Sequence, residues 1–216
     1  MLDFVYMNPL PAYLQRTGVL KAGPILESFG AIDRADFVPE ELKSRAYADE
    51  ALPIGGGQTI SQPYTVAFIL NLLDPRRGEK IMDVGAGSGW QTALLAHVVG
   101  NTGKVFAIER VPELCEFGRV NVSKYNFIAS GVVEWFCQDA TSGLPDKAPM
   151  DKIIAAASIV DLKVPKAWEE QLKVGGKMVV PIGNSIWLFI KQPDGTFHEK
   201  EFPGFVFVPF IKNERS

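Results

Sequence analysis

The chain lacks a surplus of positive charge: 22 Lys and Arg stand against 25 Asp and Glu in 216 residues, a net charge of −3. Proteins that bind nucleic acid by neutralising phosphates carry such a surplus, so no nucleic-acid partner is expected. Sulfur and imidazole are scarce. Two cysteines, Cys115 and Cys137, cannot build a disulfide framework. Neither they nor His97 and His198 show metal-ligand spacing. The expectation is two reduced thiols in a cytoplasmic protein and no metal site. Apolar runs are short of the ~18 residues that span a bilayer, so no membrane partner is expected. The start, MLDFVYMNPL, has neither the basic stretch nor the long apolar core of a signal peptide. Internal repeats and low-complexity tracts are missing too. What is present is ordinary for a folded globular chain: 47% hydrophobic and 22% charged residues, too apolar to stay disordered.

Prolines and glycines punctuate the first 50 residues. Pro24, Gly30 and Pro39 break an otherwise helical pattern into short helices joined by turns. The segment LPIGGGQTISQP (52–63) reads as a shaped loop, with Pro63 placed for the first turn of a helix over about 63–73. From residue 79 the rhythm alternates. KIMDVG, KVFAIE, VVEWFC, DKIIAAA and KMVVPIG are apolar strand candidates. Helices are expected from Trp90 to a Gly100 cap, from Pro112 to about Tyr125, and over 165–172. Strands alternating with helices argue for a parallel sheet with crossover helices. Near the end, SIWLFIK runs into Pro193-Asp194-Gly195, a turn signal, and FVFVPF reads as the returning strand. The expected architecture is therefore α/β: a doubly wound, mostly parallel sheet of seven strands with a helical N-terminal cap and an antiparallel C-terminal part. One domain accounts for residues 1–216, with cap and loop over 1–62 and core over 63–216; a division at about residue 78 is the alternative.

The strongest chemical signal is Asp83-Val-Gly85-Ala86-Gly87-Ser88-Gly89, which follows a strand and opens a helix. Glycine lets a backbone pass close under a ligand. Amides at the helix start can receive an electronegative group. Two features point away from a dinucleotide. The spacing is G-x-G-x-G, not G-x-G-x-x-G. Asp83 would also repel a pyrophosphate and attract an ammonium group. Glu109 ends the next strand, where an acid accepts ribose hydroxyls, and Asp139 follows the third strand, within reach of an adenine amino group. Ribose, adenine and a cationic amino-acid end together describe S-adenosylmethionine; an NAD(P) site is the weaker reading.

The chain resembles the protein-L-isoaspartate O-methyltransferase family over nearly its whole length. Asp33-Arg34-Ala-Asp-Phe37-Val-Pro39 resembles the family's R-x-x-F-V-P segment. Tyr47-Ala-Asp49 followed by Leu52-Pro53-Ile54-Gly55-Gly-Gly57-Gln58-Thr59-Ile60-Ser61-Gln62-Pro63 resembles its signature loop, which an ordinary methyltransferase of class I lacks. Gln171-Leu-Lys-Val-Gly175-Gly176, Val180-Pro181-Ile-Gly183 and Phe207-Val208-Pro209 also fit. The resemblance implies a class I methyltransferase core with reordered last strands. It also implies methylation of the α-carboxylate of L-isoaspartyl residues in peptides and damaged proteins, leaving S-adenosyl-L-homocysteine. The ester would then close spontaneously to a succinimide. By position, Ser61 is the implied active-site serine. Gln58, Thr59 and Ile60 would lie with it beside the cofactor. Asp83, Gly85, Ala86, Gly87, Ser88, Gly89, Glu109, Arg110, Asp139 and Ala140 would bind the cofactor. The chain departs from the pattern in two places. Tyr64 stands where many members have histidine, and Ser158, with a longer loop to about 164, stands where the family usually has proline.

The chemistry suits these residues. A carboxylate acceptor ordinarily titrates near ~3.9 and is already ionised at neutral pH, so no strong general base is required. Ser61 is expected to orient the acceptor, with helix capping as its plainer role. Trp90 reads as packing at the cofactor's edge, and FVFVP as either a sheet strand or an edge for a bound peptide. A monomer acting on isoaspartyl-containing peptides and proteins is expected. Two alternatives remain at this point: a methyltransferase for another peptide or small-molecule carboxylate, and a non-catalytic adenosine-binding interaction module.

Overall fold

A computed structural model describes residues 8–159 and 163–210. The N-terminal cap holds α1 (Leu10–Arg16) and α2 (Pro24–Ala31), followed by two short 3-10 turns at Arg34–Phe37 and Glu40–Arg45. The segment expected as a shaped loop is a two-stranded antiparallel hairpin, β1 (Leu52–Gly55) and β2 (Gln58–Ile60). Its turn is possible because Gly55, Gly56 and Gly57 all take positive φ. The core follows as α3 (Pro63–Leu73), β3 (Lys80–Val84), α4 (Trp90–Val99), β4 (Lys104–Glu109), α5 (Pro112–Ser123), β5 (Val133–Cys137), β6 (Met150–Ala155), α6 (Lys166–Gln171), β7 (Leu172–Ile182), β8 (Ser185–Lys191) and β9 (Phe197–Pro203).

The large sheet has seven strands in the order β5-β4-β3-β6-β7-β8-β9. The first five run parallel; β8 and β9 follow in chain order as an antiparallel meander. Strand order turns back at β3, which has β4 on one side and β6 on the other. In open α/β sheets ligands bind in the crevice beyond the strand C-termini at such a point.

Side chains alternate across the sheet, as the period of two demands. Ile81, Val105, Ala107, Ile154 and Val179 face the layer that holds α3, α4 and the cap. Met82, Phe106, Ile108, Ile153 and Val180 face Trp168 of α6. Asp83 shares the face of Ile81, and this decides what it can touch.

Two expectations are corrected here. Cys115 and Cys137 are not free thiols: they are joined in a disulfide that ties α5 to β5 across a Cα–Cα distance of 5.7 Å. Two cysteines far apart in sequence give no sign of meeting until the strand and helix that carry them are packed. The returning strand is Phe197–Pro203, not FVFVPF. Its residues His198, Glu199, Lys200 and Glu201 are exposed on an edge strand, where charge blocks unwanted pairing. The segment from Phe205 crosses instead toward the strand C-termini, where Pro209 forms an isolated bridge with Ser158. Part of the longer loop after Ser158, residues 160–162, lies outside the described residues.

Candidate active site

Gly85, Gly87 and Gly89 all adopt positive φ, but they serve two different ends. A Cβ on Gly85 or Gly87 would face the crevice, with nothing nearer than 3.4 Å. Gly89 faces the protein: a Cβ there would sit 2.6 Å from Val122 Cγ2 and 2.9 Å from the Gly118 carbonyl. Gly118 returns the constraint, since its Cβ would lie 2.4 Å from the Gly87 carbonyl oxygen. Two glycines thus let α5 press against the loop while the other two leave its upper surface bare. Gly118 belongs to no motif, so nothing in the sequence singles it out.

Glu109 ends β4 beside this loop and is nearly buried. One carboxylate oxygen accepts the amides of Arg110 and Val111, each at 2.8 Å, and the other accepts the amide of Gly87 at 2.9 Å. Three amide donors fix the carboxylate at the cleft wall. Asp139 accepts the Thr141 amide at 2.7 Å and pairs with Arg110 at 3.5 Å. Its neighbours Gln138 and Ala140 line the cleft.

Asp83 behaves differently from expectation. It is fully buried on the α4 side of the sheet, where it accepts hydrogen bonds from Gln91 Nε2 at 2.7 Å and Thr92 Oγ1 at 2.6 Å. Burial pushes its carboxyl up to about 6 against those two bonds. The alternation of the strand turns it away from the crevice, so it braces the start of α4 and does not reach toward a ligand.

Three adjoining clefts open at the strand C-termini. The first encloses about 570 Å³, counted out to open solvent. Gln58, Thr59, Gly85, Gly87, Glu109 and Arg110 are among its walls. The second is walled by Ile60, Ser61, Ala86, Ser88 and Trp90, and the third by Ala51, Ser61, Gln62, Thr65 and Phe207. Thr59 and Ala156 border all three, and Ser61 borders the second and third. Of the expected residues, Asp83, Gly89 and Asp139 line none of the three.

Ser61 is not a helix cap. The N-cap of α3 is Gln62, which makes no side-chain cap bond. Asp49 takes that role from outside the helix. It accepts the Tyr64 amide at 2.8 Å, Gln62 Nε2 at 2.9 Å and the Tyr13 hydroxyl at 2.6 Å. Tyr64 itself packs half-buried against the core. Arg34, which the sequence marks only as part of a motif, is fully buried, and its guanidinium reaches the Ser61 carbonyl at 2.9 Å.

An open α/β sheet with a bare glycine turn at its switch point, and an anchored acid at the end of the next strand, defines a class I methyltransferase-like protein. Comparisons with known proteins narrow this. The protein-L-isoaspartate(D-aspartate) O-methyltransferase family matches residues 7–215, and the chain belongs to that family. It is 42% identical to a protein-L-isoaspartate O-methyltransferase of Methanopyrus kandleri over 93% of this chain and 89% of that one. The corresponding protein of Aeropyrum pernix is 46% identical over 92% of this chain and 76% of that one. Among solved structures, a protein-L-isoaspartate O-methyltransferase superposes with a TM-score of 0.84 at 27% identity, covering 94% of this chain and 65% of that one. A Plasmodium falciparum chain described as a putative enzyme of the same kind, in complex with S-adenosyl-L-homocysteine, gives a TM-score of 0.81 at 22% identity, covering 96% of this chain and 99% of that one.

Proposed function

We propose that the chain methylates the α-carboxylate of L-isoaspartyl residues in damaged proteins and peptides, as a protein-L-isoaspartate (D-aspartate) O-methyltransferase that uses S-adenosylmethionine. The observation that carries this reading is that Ser61 lines both the second cleft, the inner one, and the third, the outer one, beside Thr59, which walls both.

The residues fit the cofactor. Gly85 and Gly87 leave a surface that a Cβ would fill. Glu109 presents an anchored carboxylate whose second oxygen has room to accept a ribose hydroxyl, and the buried indole N–H of Trp90, on the inner cleft wall, has no partner among the described residues. When bound, S-adenosylmethionine supplies an electrophilic methyl group on a sulfonium.

The chain's own residues bind, orient and exclude water. An isoaspartyl carboxylate entering past Ala51, Gln62 and Phe207 is already ionised at neutral pH. No base has to take a proton from it. Ser61 Oγ has no hydrogen-bond partner among the described residues and can donate to one acceptor oxygen, leaving the other free to attack. Alignment of this kind supplies ~7–11 kcal/mol of barrier reduction where it is tight. Thr59, Ala156 and Val208 wall both the first and the third cleft, where they can limit the access of water to the acceptor. Action as a monomer belongs to the same reading. No helix among the described residues is long and apolar enough to cross a membrane. A cytoplasmic location belongs to the same reading.

The test is incubation with methyl-labelled cofactor and a matched pair of peptides, one isoaspartyl and one aspartyl. Label should enter the isoaspartyl peptide almost alone. Equal labelling of both, or labelling of neither while the cofactor binds, would overturn the assignment of the acceptor.

A further inference from the structure

We propose that Arg34 is a positioning residue for Ser61: its guanidinium grips the Ser61 backbone and so aims the hydroxyl into the junction of the inner and outer clefts. The proposal rests on the reading of Ser61 as the group that orients the acceptor.

Arg34 follows the N-cap of the first 3-10 turn and is completely buried. Burying a guanidinium costs heavily unless its donors are met. Four of them, on Nη1 and Nη2, are met by backbone carbonyls alone, while Nε is buried with no partner among the described residues. Nη1 donates to Ala46 at 2.8 Å and Ala48 at 3.3 Å, and Nη2 donates to Glu50 and Ser61, each at 2.9 Å. Three of these acceptors belong to the strap that leads into the hairpin. The fourth is the residue that leaves the hairpin. The fork therefore ties the entrance of the signature loop to its exit.

The other face of the group is used as well. The guanidinium carbon lies 5.2 Å from the centre of the Trp90 ring, and Trp90 walls the same inner cleft as Ser61. Arg34 thus fixes two opposing elements of the cleft, the Ser61 backbone and the Trp90 indole, without lining it. Burial lowers its pKa to about 10, with Asp49 and Glu50 opposing the fall, so the charge persists at neutral pH. Only a flat, multi-pronged cation can serve several carbonyls and an aromatic face together. Lysine is a compact point charge without that geometry. A clamp serving the fold alone would need no contact at Ser61. Here the carbonyl of Ser61 is held while its hydroxyl is left without a partner among the described residues.

The experiment is a double-mutant cycle on the full chain with Arg34→Lys, Ser61→Ala and the combination. Maximal methylation rate, acceptor KM and cofactor affinity are read for each, with Arg34→Gln run in parallel. Misplacing the serine should lower the maximal rate of Arg34→Lys by about tenfold, no more than Ser61→Ala itself does, with cofactor affinity changed less than about threefold. Added to Ser61→Ala, the same substitution should cost less than about a further threefold, because the group it acts through is gone. If the two losses multiply, Arg34 acts independently of Ser61 and the proposal is overturned, while the reading of Ser61 stands. A full rate in Ser61→Ala alone would instead overturn the reading of Ser61, and this proposal with it. Loss of the fold in both Arg34 variants would make the residue a clamp of the whole cap and also overturn the proposal.

Discussion

The amide of Ser158 donates to the carbonyl of Val208 at 2.8 Å, and the amide of Phe210 returns a bond of 2.7 Å to the Ser158 carbonyl. A residue just beyond β6 thereby holds the crossing segment whose members Phe207 and Val208 wall the outer cleft. The family pattern that the sequence resembles usually has proline at this point, and proline has no amide hydrogen to donate. This chain anchors the wall of its outer cleft, where the proposed acceptor enters, through a bond that the usual residue cannot make.

Replacing Ser158 by proline should therefore loosen that wall. The acceptor KM should rise about fivefold or more with a smaller change in maximal rate, as lost ground-state binding predicts. Ser158→Ala is the control. It keeps the amide and loses only the hydroxyl bond to the Gly183 carbonyl at 3.1 Å, so its KM should stay near the wild-type value. Steady-state kinetics on an isoaspartyl peptide decides the matter; equal KM values for all three proteins would sink the anchoring role.

A second outcome concerns Glu109. Its carboxylate is held by three backbone amides at the wall of the first cleft, so it is oriented before any ligand arrives. On the proposed reading, Glu109→Ala removes a charge-assisted hydrogen bond to the ribose, worth ~1.5–3 kcal/mol. Calorimetry should show at least about tenfold weaker binding of S-adenosylmethionine. Unchanged affinity would mean that the ribose lies elsewhere.

Asp83 gives a pH dependence with a definite sign. Its carboxyl is pushed up by burial to about 6 from 3.8 in the unfolded chain. The folded state then holds a proton that the unfolded chain releases, so this group's stabilising contribution is complete below about pH 4 and is lost as pH rises through 6. Asp83→Asn keeps the size and can still bond Thr92 and Gln91, but it cannot ionise. Relative to wild type, the variant should gain stability as pH goes from 4.5 to 7.5, by about 2 kcal/mol. Urea unfolding of both proteins at those two pH values checks this. A difference that does not move with pH would show that the burial cost is met in another way.

The parts of the molecule legible in the sequence are those where local pattern and chain direction agree. Lys80–Val84, Lys104–Glu109 and Trp90–Val99 follow from apolar rhythm and glycine punctuation, and they place Glu109 and the glycine turn at one sheet edge. What escaped depends on the third dimension. Strand alternation turns Asp83 under α4, although its place in the motif suggested a ligand contact. The charged stretch Phe197–Pro203 forms a strand because β8 offers it an edge, while the more apolar FVFVP crosses to the cleft. Cys115 and Cys137 meet only once α5 packs on β5. The work of Asp49 and Arg34 was hidden because their partners, Tyr13, Gln62, Tyr64 and Ser61, lie in other elements.

The remaining prediction separates orientation from basicity at Ser61. If the acceptor is an ionised carboxylate, no proton leaves it during methylation. The single-turnover rate should then be flat from about pH 6 to 8, well above the ~3.9 at which such a carboxyl ordinarily titrates. Ser61→Ala should lower that rate by at least about tenfold while cofactor affinity stays nearly constant, because a bond that aligns the acceptor acts on the transition state. Stability offers an internal control. Since Gln62 is the N-cap and Asp49 bonds the Tyr64 amide, no cap is lost with the serine hydroxyl, and the melting temperature should hold. A normal rate in Ser61→Ala would remove the residue from catalysis. A steep rise of the wild-type rate through pH 7 would require a general base at the cleft, and none of the groups that wall the junction beside Ser61 titrates in that range: Thr59, Ala156, Gln62 and Thr65 carry no ionisable proton near neutrality.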